Sequence, residues 1–209
     1  MKALTRYVLS TIGGKVVERK DIEEACRRFD ADADKTINYM ISYRYFIRVL
    51  RGLYYVKTLE DFSLKKSLDI HNVLALAMER LNVKWYFGLY TGLRLNGLTH
   101  EYFDTTFVLN DAIFRPKEIK VAGEKVKFVK LKRRLFGFGT VNKDRLVYSD
   151  VEKTLLDFIY VSRYRSVPES RTASIVEEHR SSVDAEKMKT YLKFYPETVG
   201  TMVKNAGLI

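Results

Sequence analysis

The stretch from Asp21 to Val56, DIEEACRRFDADADKTINYMISYRYFIRVLRGLYYV, decides how the chain folds. Ile22, Ala25, Cys26 and Phe29 recur at i, i+3, i+4 and i+7, which places four apolar side chains on one face of a short helix. Asp30-Ala31-Asp32-Ala33-Asp34 then makes a tight polar connection, in which Asp32 or Asp34 is placed to accept from the free N–H groups opening a second helix. In that helix Ile37, Met40 and Ile41 form the buried face and leave Lys35, Thr36, Asn38, Tyr39 and Ser42 outside. Next come a β-branched and aromatic run, Tyr45 to Leu50, then Arg51-Gly52, then Leu53-Tyr54-Tyr55-Val56. Strand, glycine-containing turn and strand predict a hairpin with Arg51 at its tip. Helix, turn, helix and hairpin in this order is the layout of a winged helix-turn-helix; any small α+β subdomain with a hairpin is the plainer alternative.

Upstream, Leu4, Tyr7, Val8, Thr11 and Ile12 describe an amphipathic helix that Gly13-Gly14 ends, and Lys15-Val16-Val17 suits a short strand edging the hairpin. Downstream, the polar stretch Thr58 to Leu64 is the expected domain boundary. The sequence therefore predicts an α+β chain in three parts. These are a winged helix-turn-helix over residues 1–57, an α+β domain with a basic β-hairpin over 58–165, and a helical C-terminal tail over 166–209.

An apolar content of 46% excludes a disordered chain, and no apolar run approaches the ~20 residues that cross a bilayer. Met1 to Arg6 leads into an amphipathic segment, so the sequence predicts no signal peptide, no membrane partner and a cytoplasmic protein. The single cysteine, Cys26, lies on an apolar helix face and reads as a small buried thiol. His71, His100 and His179 are far apart and lack zinc-ligand spacing, so no metal, cofactor or catalytic residue is assigned. The net charge of +11 points to a polyanionic partner. Its distribution is uneven: residues 1–57 carry 12 Lys+Arg against 7 Asp+Glu, and residues 115–147 carry 11 against 3. The denser basic centre thus lies outside the helix-turn-helix.

Asp69 to Leu81 has the pattern of a helix capped by Asp69, with Val73, Leu74, Ala77 and Leu81 on one face. Lys84 to Tyr90 is an aromatic-rich strand or helix entry. Gly88 to Gly97 is a helix with small residues inside it, stopped by Asn96-Gly97; such glycines allow close packing, and their spacing fits neither nucleotide-binding fingerprint. Thr106 to Leu109 is a strand. Ile119 to Val121 and Val126 to Leu131, joined through Ala122-Gly123-Glu124, alternate apolar and basic residues as a half-exposed hairpin does. Lys125, Lys127, Lys130 and Lys132 face water there, with Arg133 and Arg134 beyond; a solvated sheet face explains them as well as a surface for DNA backbone or an acidic protein. Ser149 and Glu152 are spaced as a capping box opening a helix, with Asp150 adding charge at its dipole. Ser166 to Ser170 reads as a linker before helical segments near 173–179, 184–195 and 197–205.

Three passages resemble the AbiEi family of antitoxins, transcriptional regulators of type IV toxin-antitoxin operons. They are Arg51-Gly52-Leu53-Tyr54-Tyr55, the helix Tyr90 to Leu95 with its ending Asn96-Gly97-Leu98-Thr99, and Val147 to Asp157, which is similar to the family's Asp-x-Glu-(Arg or Lys)-Thr-Leu-x-Asp signature. The resemblance extends over roughly residues 15–160. The resemblance implies an N-terminal winged helix-turn-helix that represses its own operon at inverted repeats in double-stranded DNA, as a dimer on that DNA. It also implies a second domain that counteracts a nucleotidyltransferase-type toxin, as a non-enzymatic antitoxin. On this reading Lys35 to Ser42 is the recognition helix and Arg48 to Leu53 the wing. Thr36, Asn38 and Tyr39 are then expected at base edges and Lys35, Arg44, Arg48 and Arg51 at phosphates. Lys125, Lys127, Lys130, Lys132, Arg133 and Arg134 form an expected second contact, to DNA or to the toxin. The acidic turn Asp30 to Asp34 departs from what a phosphate-binding helix needs, and residues 161–209 match nothing in the family pattern. Two alternatives stand beside it: a protein-interaction module for an acidic partner, and a magnesium-dependent nuclease in which Asp111, Glu118 and Lys120 group around the ion.

Overall fold

Gly14 takes a left-handed φ of 76° and returns its N–H to the Val56 carbonyl at 2.8 Å, so the first helix ends where the paired glycines predict. The computed structural model describes residues 3–64, 68–165 and 169–209. In it, helix α1 (Ala3–Ile12) is followed by strand β1 (Val16–Glu18), helices α2 (Arg19–Arg27) and α3 (Ala33–Ser42), and strands β2 (Phe46–Leu50) and β3 (Leu53–Val56). The three strands form an antiparallel sheet in the order β1-β3-β2, with Val17 opposite Tyr54 and Ile47 opposite Tyr55. Val8, Leu9, Ile22, Cys26, Ile37, Met40, Phe46 and Val56 close one apolar core beneath it. Cys26 is buried. Phe29 is not; it is 39% exposed, with its ring against Tyr7 at 5.2 Å.

Thr58 to Leu64 is not a bare connection. It holds a short helix, α4 (Leu59–Ser63), started by a capping box between Thr58 and Asp61. Helix α5 (Ile70–Leu81) begins as expected with Asp69, whose carboxylate accepts from the His71 N–H at 2.9 Å. Arg80 on α5 then reaches the start of α2, 2.7 Å from Asp21 and 3.0 Å from Glu18. By packing, the chain falls into two compact units. One compact unit is Met1–Asn82 with Lys120–Glu124, and the other is Val83–Ile119 with Lys125–Ile209.

The rest of the chain runs β4 (Trp85–Phe87), α6 (Leu89–Leu95), β5 (Thr105–Asn110), β6 (Ile119–Val121), β7 (Glu124–Lys130), β8 (Thr140–Lys143) and β9 (Leu146–Ser149). Helices α7 (Val151–Arg165), α8 (Glu169–Glu178), α9 (Ala185–Leu192) and α10 (Glu197–Asn205) complete it. The strands make a mixed six-stranded sheet, β6-β7-β5-β4-β9-β8, in which β5 pairs parallel to β7 and antiparallel to β4, and β4 pairs parallel to β9. The fold class is α+β. Tyr86, Leu109 and Val129 from the sheet, Leu155 and Ile159 from α7, and Val176, Met188, Val199 and Val203 from the later helices share a single core. The C-terminal helices are therefore part of the second unit's interior and not an appended tail. Of the expected linker, 166–168 lie outside the described residues, and Glu169 and Ser170 already belong to α8. Among the described residues no helix is long and apolar enough to cross a membrane.

Candidate nucleic-acid interface

Two acids of the turn before α3 have partners within the first unit. Asp32 is the helix cap: its carboxylate accepts from the Lys35 N–H at 2.8 Å, so its charge meets the positive end of the helix dipole. Asp34 is held by the Arg19 guanidinium through two parallel bonds of 2.7 and 3.0 Å. Hydrogen bonding from Arg19 keeps the Asp34 carboxyl below its ordinary value. Arg19 also bonds Glu23 at 2.6 Å. Asp32 is thus bonded to the start of α3, and Asp34 is bonded to a guanidinium that Glu23 shares.

All seven residues expected at DNA lie in the first unit. Lys35 and Asn38 are exposed on α3, with Ser42 beyond them. Thr36 and Tyr39 are half-buried. Thr36 spends its hydroxyl on the Asp32 carbonyl at 2.7 Å, and both line a shallow cleft with Leu4, Phe29 and Ala31. Arg44, in the turn after α3, is exposed with a φ of 59°. Arg48 is exposed with its guanidinium 5.9 Å from the Tyr54 ring centroid, and Arg51 stands exposed beside Gly52 at the hairpin tip. Two further residues belong to this surface. Tyr43 is 58% exposed and its ring is fixed against Tyr39 at 4.5 Å and Tyr45 at 6.3 Å. Its i, i+4 spacing from Tyr39 is a legible signal of that contact. Arg19 has no local signal, because its partner lies 15 residues away.

The basic hairpin is less uniform than its letters. Lys125 is committed to Asp104 at 2.5 Å, and hydrogen bonding to that carboxylate raises its pKa. The Lys127 ammonium donates to the Pro116 carbonyl at 2.5 Å. Lys130 is exposed, as are Lys132, Arg133 and Arg134 on the turn that follows β7. That turn is a single 3-10 helix, Arg133–Leu135, whose last residue is fully buried.

Two of the passages that carry the family resemblance meet inside the second unit. Gly92 of α6 faces Ser149 and Thr154, and a methyl there would lie 2.8 Å from each hydroxyl. Asn96 closes α6 and donates to the carbonyls of Gly92 and Ser149 at 2.7 and 2.8 Å. The expected capping box does not form, and the helix cap moves on by one residue. Ser149 still belongs to β9 and shares a 2.6 Å bond with Thr154, while Asp150 caps α7 by accepting from the Lys153 N–H at 3.0 Å. Glu152 instead accepts from the Asp184 N–H at 3.0 Å and pairs with Lys187 at 2.9 Å, which anchors the start of α9. Asp157 is fully buried and accepts from the Tyr86 and Tyr195 hydroxyls at 2.7 and 2.6 Å. Lys153, also buried, donates to the Leu135 carbonyl at 2.7 Å, lies 3.9 Å from Asp157 and packs over the Phe138 ring at 4.1 Å. Burial pushes Asp157 up and Lys153 down, since water solvates neither charge. The signature residues thus hold the second unit together and face its interior.

Among the described residues no three His, Cys, Asp or Glu side chains are grouped to hold a metal ion. Asp111 accepts from the Lys84 N–H at 3.1 Å, and Glu118 and Lys120 are exposed. Compared with known proteins, the chain matches no family model and no curated protein.

Proposed function

We propose that the chain is a sequence-specific DNA-binding repressor that reads DNA through α3 and the β2–β3 hairpin, and that it acts as an antitoxin. The observation that carries the DNA reading is the surface of α3. Lys35, Asn38 and Ser42 are exposed there while Asp34, the acid among them, is paired with Arg19. Arg44, Arg48 and Arg51 follow, all exposed and cationic. Support also comes from element order. Three helices and a three-stranded antiparallel sheet, with the hairpin last, are what a winged helix-turn-helix requires. In this reading Asn38 contacts base edges with Thr36 and Tyr39 at its flank, and Lys35, Arg44, Arg48 and Arg51 neutralise phosphates. An inverted-repeat operator would seat two copies of the chain. The antitoxin half rests on the resemblance of residues 15–160 to the AbiEi family, whose members counter a nucleotidyltransferase-type toxin.

A gel shift on duplex DNA from upstream of the chain's own reading frame tests the DNA half. Arg51→Ala should weaken binding to every sequence and lower the salt slope by about 1. Asn38→Ala should narrow the gap between operator and random DNA by about 1–3 kcal/mol. Unchanged shifts for both variants would remove α3 and the hairpin from the reading. For the antitoxin half, co-expression with the product of a neighbouring nucleotidyltransferase-type gene should relieve its toxicity.

A further inference from the structure

Among the six basic residues from Lys125 to Arg134, several are tied down within the protein. Lys125 is paired with Asp104 and Lys127 is bonded to the Pro116 carbonyl. Three consecutive cations, Lys132, Arg133 and Arg134, stand in contrast, all exposed on one short turn. Asp111 approaches Arg133 only to 3.9 Å, and the Arg133 side chain remains 80% exposed. This turn is also firmly seated. Leu131 before it and Leu135 after it are buried, and the Leu135 carbonyl receives the buried Lys153 ammonium at 2.7 Å.

We infer that Lys132, Arg133 and Arg134 form a second contact for the sugar-phosphate backbone of duplex DNA; this deepens the DNA-binding reading and rests on it. The choice of DNA over an acidic protein comes from what surrounds the cations. The cores of protein–protein interfaces are depleted in charge and enriched in exposed aromatic and apolar side chains. Here the apolar residues of the segment, Val129, Leu131 and Leu135, all turn inward, and only charge is left outside. A surface of that kind suits a partner recognised by counterion release, with little apolar area to bury. Holding the cations on a fixed turn lowers the side-chain and loop ordering that binding costs. Two guanidiniums among the three add bidentate geometry toward phosphate oxygens.

The experiment measures the affinity of the full chain for its upstream duplex and for a random-sequence duplex, each across a salt series. The Lys132→Ala/Arg133→Ala/Arg134→Ala variant should lose binding to both duplexes alike. Its salt slope should fall by about 2–3, which corresponds to about a 40-fold smaller change in affinity between 50 and 200 mM salt. A Lys189→Ala/Lys193→Ala/Lys204→Ala variant removes the same net charge from exposed positions on α9, the turn after it and α10, and should keep the wild-type slope. Arg133→Lys/Arg134→Lys should keep most of the slope, because the charge remains. If the triple variant of the turn binds both duplexes with the wild-type slope, the inference is overturned while the reading of α3 stands. It is overturned equally if that variant keeps its slope on DNA but loses retention on immobilised polyglutamate, which would make the turn a contact for acidic protein. Absence of duplex binding by the wild-type chain overturns both.

Discussion

Gly92 shows how one atom sets the joint between two parts of the second unit. A side-chain methyl at this position would press within 2.8 Å of the Ser149 and Thr154 hydroxyls, which are bonded to each other at 2.6 Å. Gly92→Ala should therefore destabilise the protein by about 1–3 kcal/mol, read as a lower urea midpoint with an unchanged slope. A glycine inside a helical pattern already announces close packing, so this need was legible in the sequence. The identity of the neighbour was not, because Ser149 and Thr154 come from a distant part of the chain. The same limit applies to the pair Arg19 and Asp34. Asp34 as a letter argues against a phosphate-binding helix, and only the fold brings the guanidinium that reverses the argument.

At the level of elements, the proposed DNA contact of α3 depends on the loop and helix before it. Arg19 and Asp34 are both largely exposed, so water screens their pair and breaking it should leave the urea midpoint nearly unchanged. Its effect on binding should be larger, because Arg19→Ala uncovers a carboxylate on the face of α3. Duplex affinity should fall in Arg19→Ala and recover in Arg19→Ala/Asp34→Ala, measured by fluorescence anisotropy; equal affinity in both variants would mean the carboxylate does not face the duplex. Elements with strong local signals were legible: α1 and its glycine stop, the cap at Asp32, the β2–β3 hairpin and the cap at Asp69. The sequence places the helix start near Ser149 one residue early, because a serine and an aspartate compete for the cap and the strand claims the serine. The helices from 169 onward were legible as amphipathic pieces. Their place in the core was not, since their partners on the sheet and α7 are remote in sequence.

For the whole molecule, the buried hydroxyls that bind Asp157 link stability to alkaline pH. Burial raises Tyr86 and Tyr195 well above the ordinary value of 10.0, and burial together with the bond to Asp150 pushes Tyr191 up to about 12. A tyrosine raised in the folded state adds stability that is complete below its unfolded value and is lost as pH rises through its folded one. Urea midpoints should accordingly be flat up to about pH 9 and fall steeply above about pH 10. Tyr195→Phe should start from a lower midpoint and lose less of it over that range. A variant that declines as steeply as the wild type would show that Tyr195 is not one of the groups responsible.

The hydrogen bonds to Asp157 also carry a consequence in time. The bond from Tyr86 joins side chains 71 residues apart, whereas the core cluster beneath the three-stranded sheet of the first unit closes among residues 8–56. Chain segments that must meet across long loops pay more entropy before any contact rewards them, and they assemble later. During synthesis, or on recovery from heat, the α3 surface is expected to take shape while the second unit is still searching for its pairing. A freshly made chain would then display the α3 surface before any surface that requires the finished six-stranded sheet.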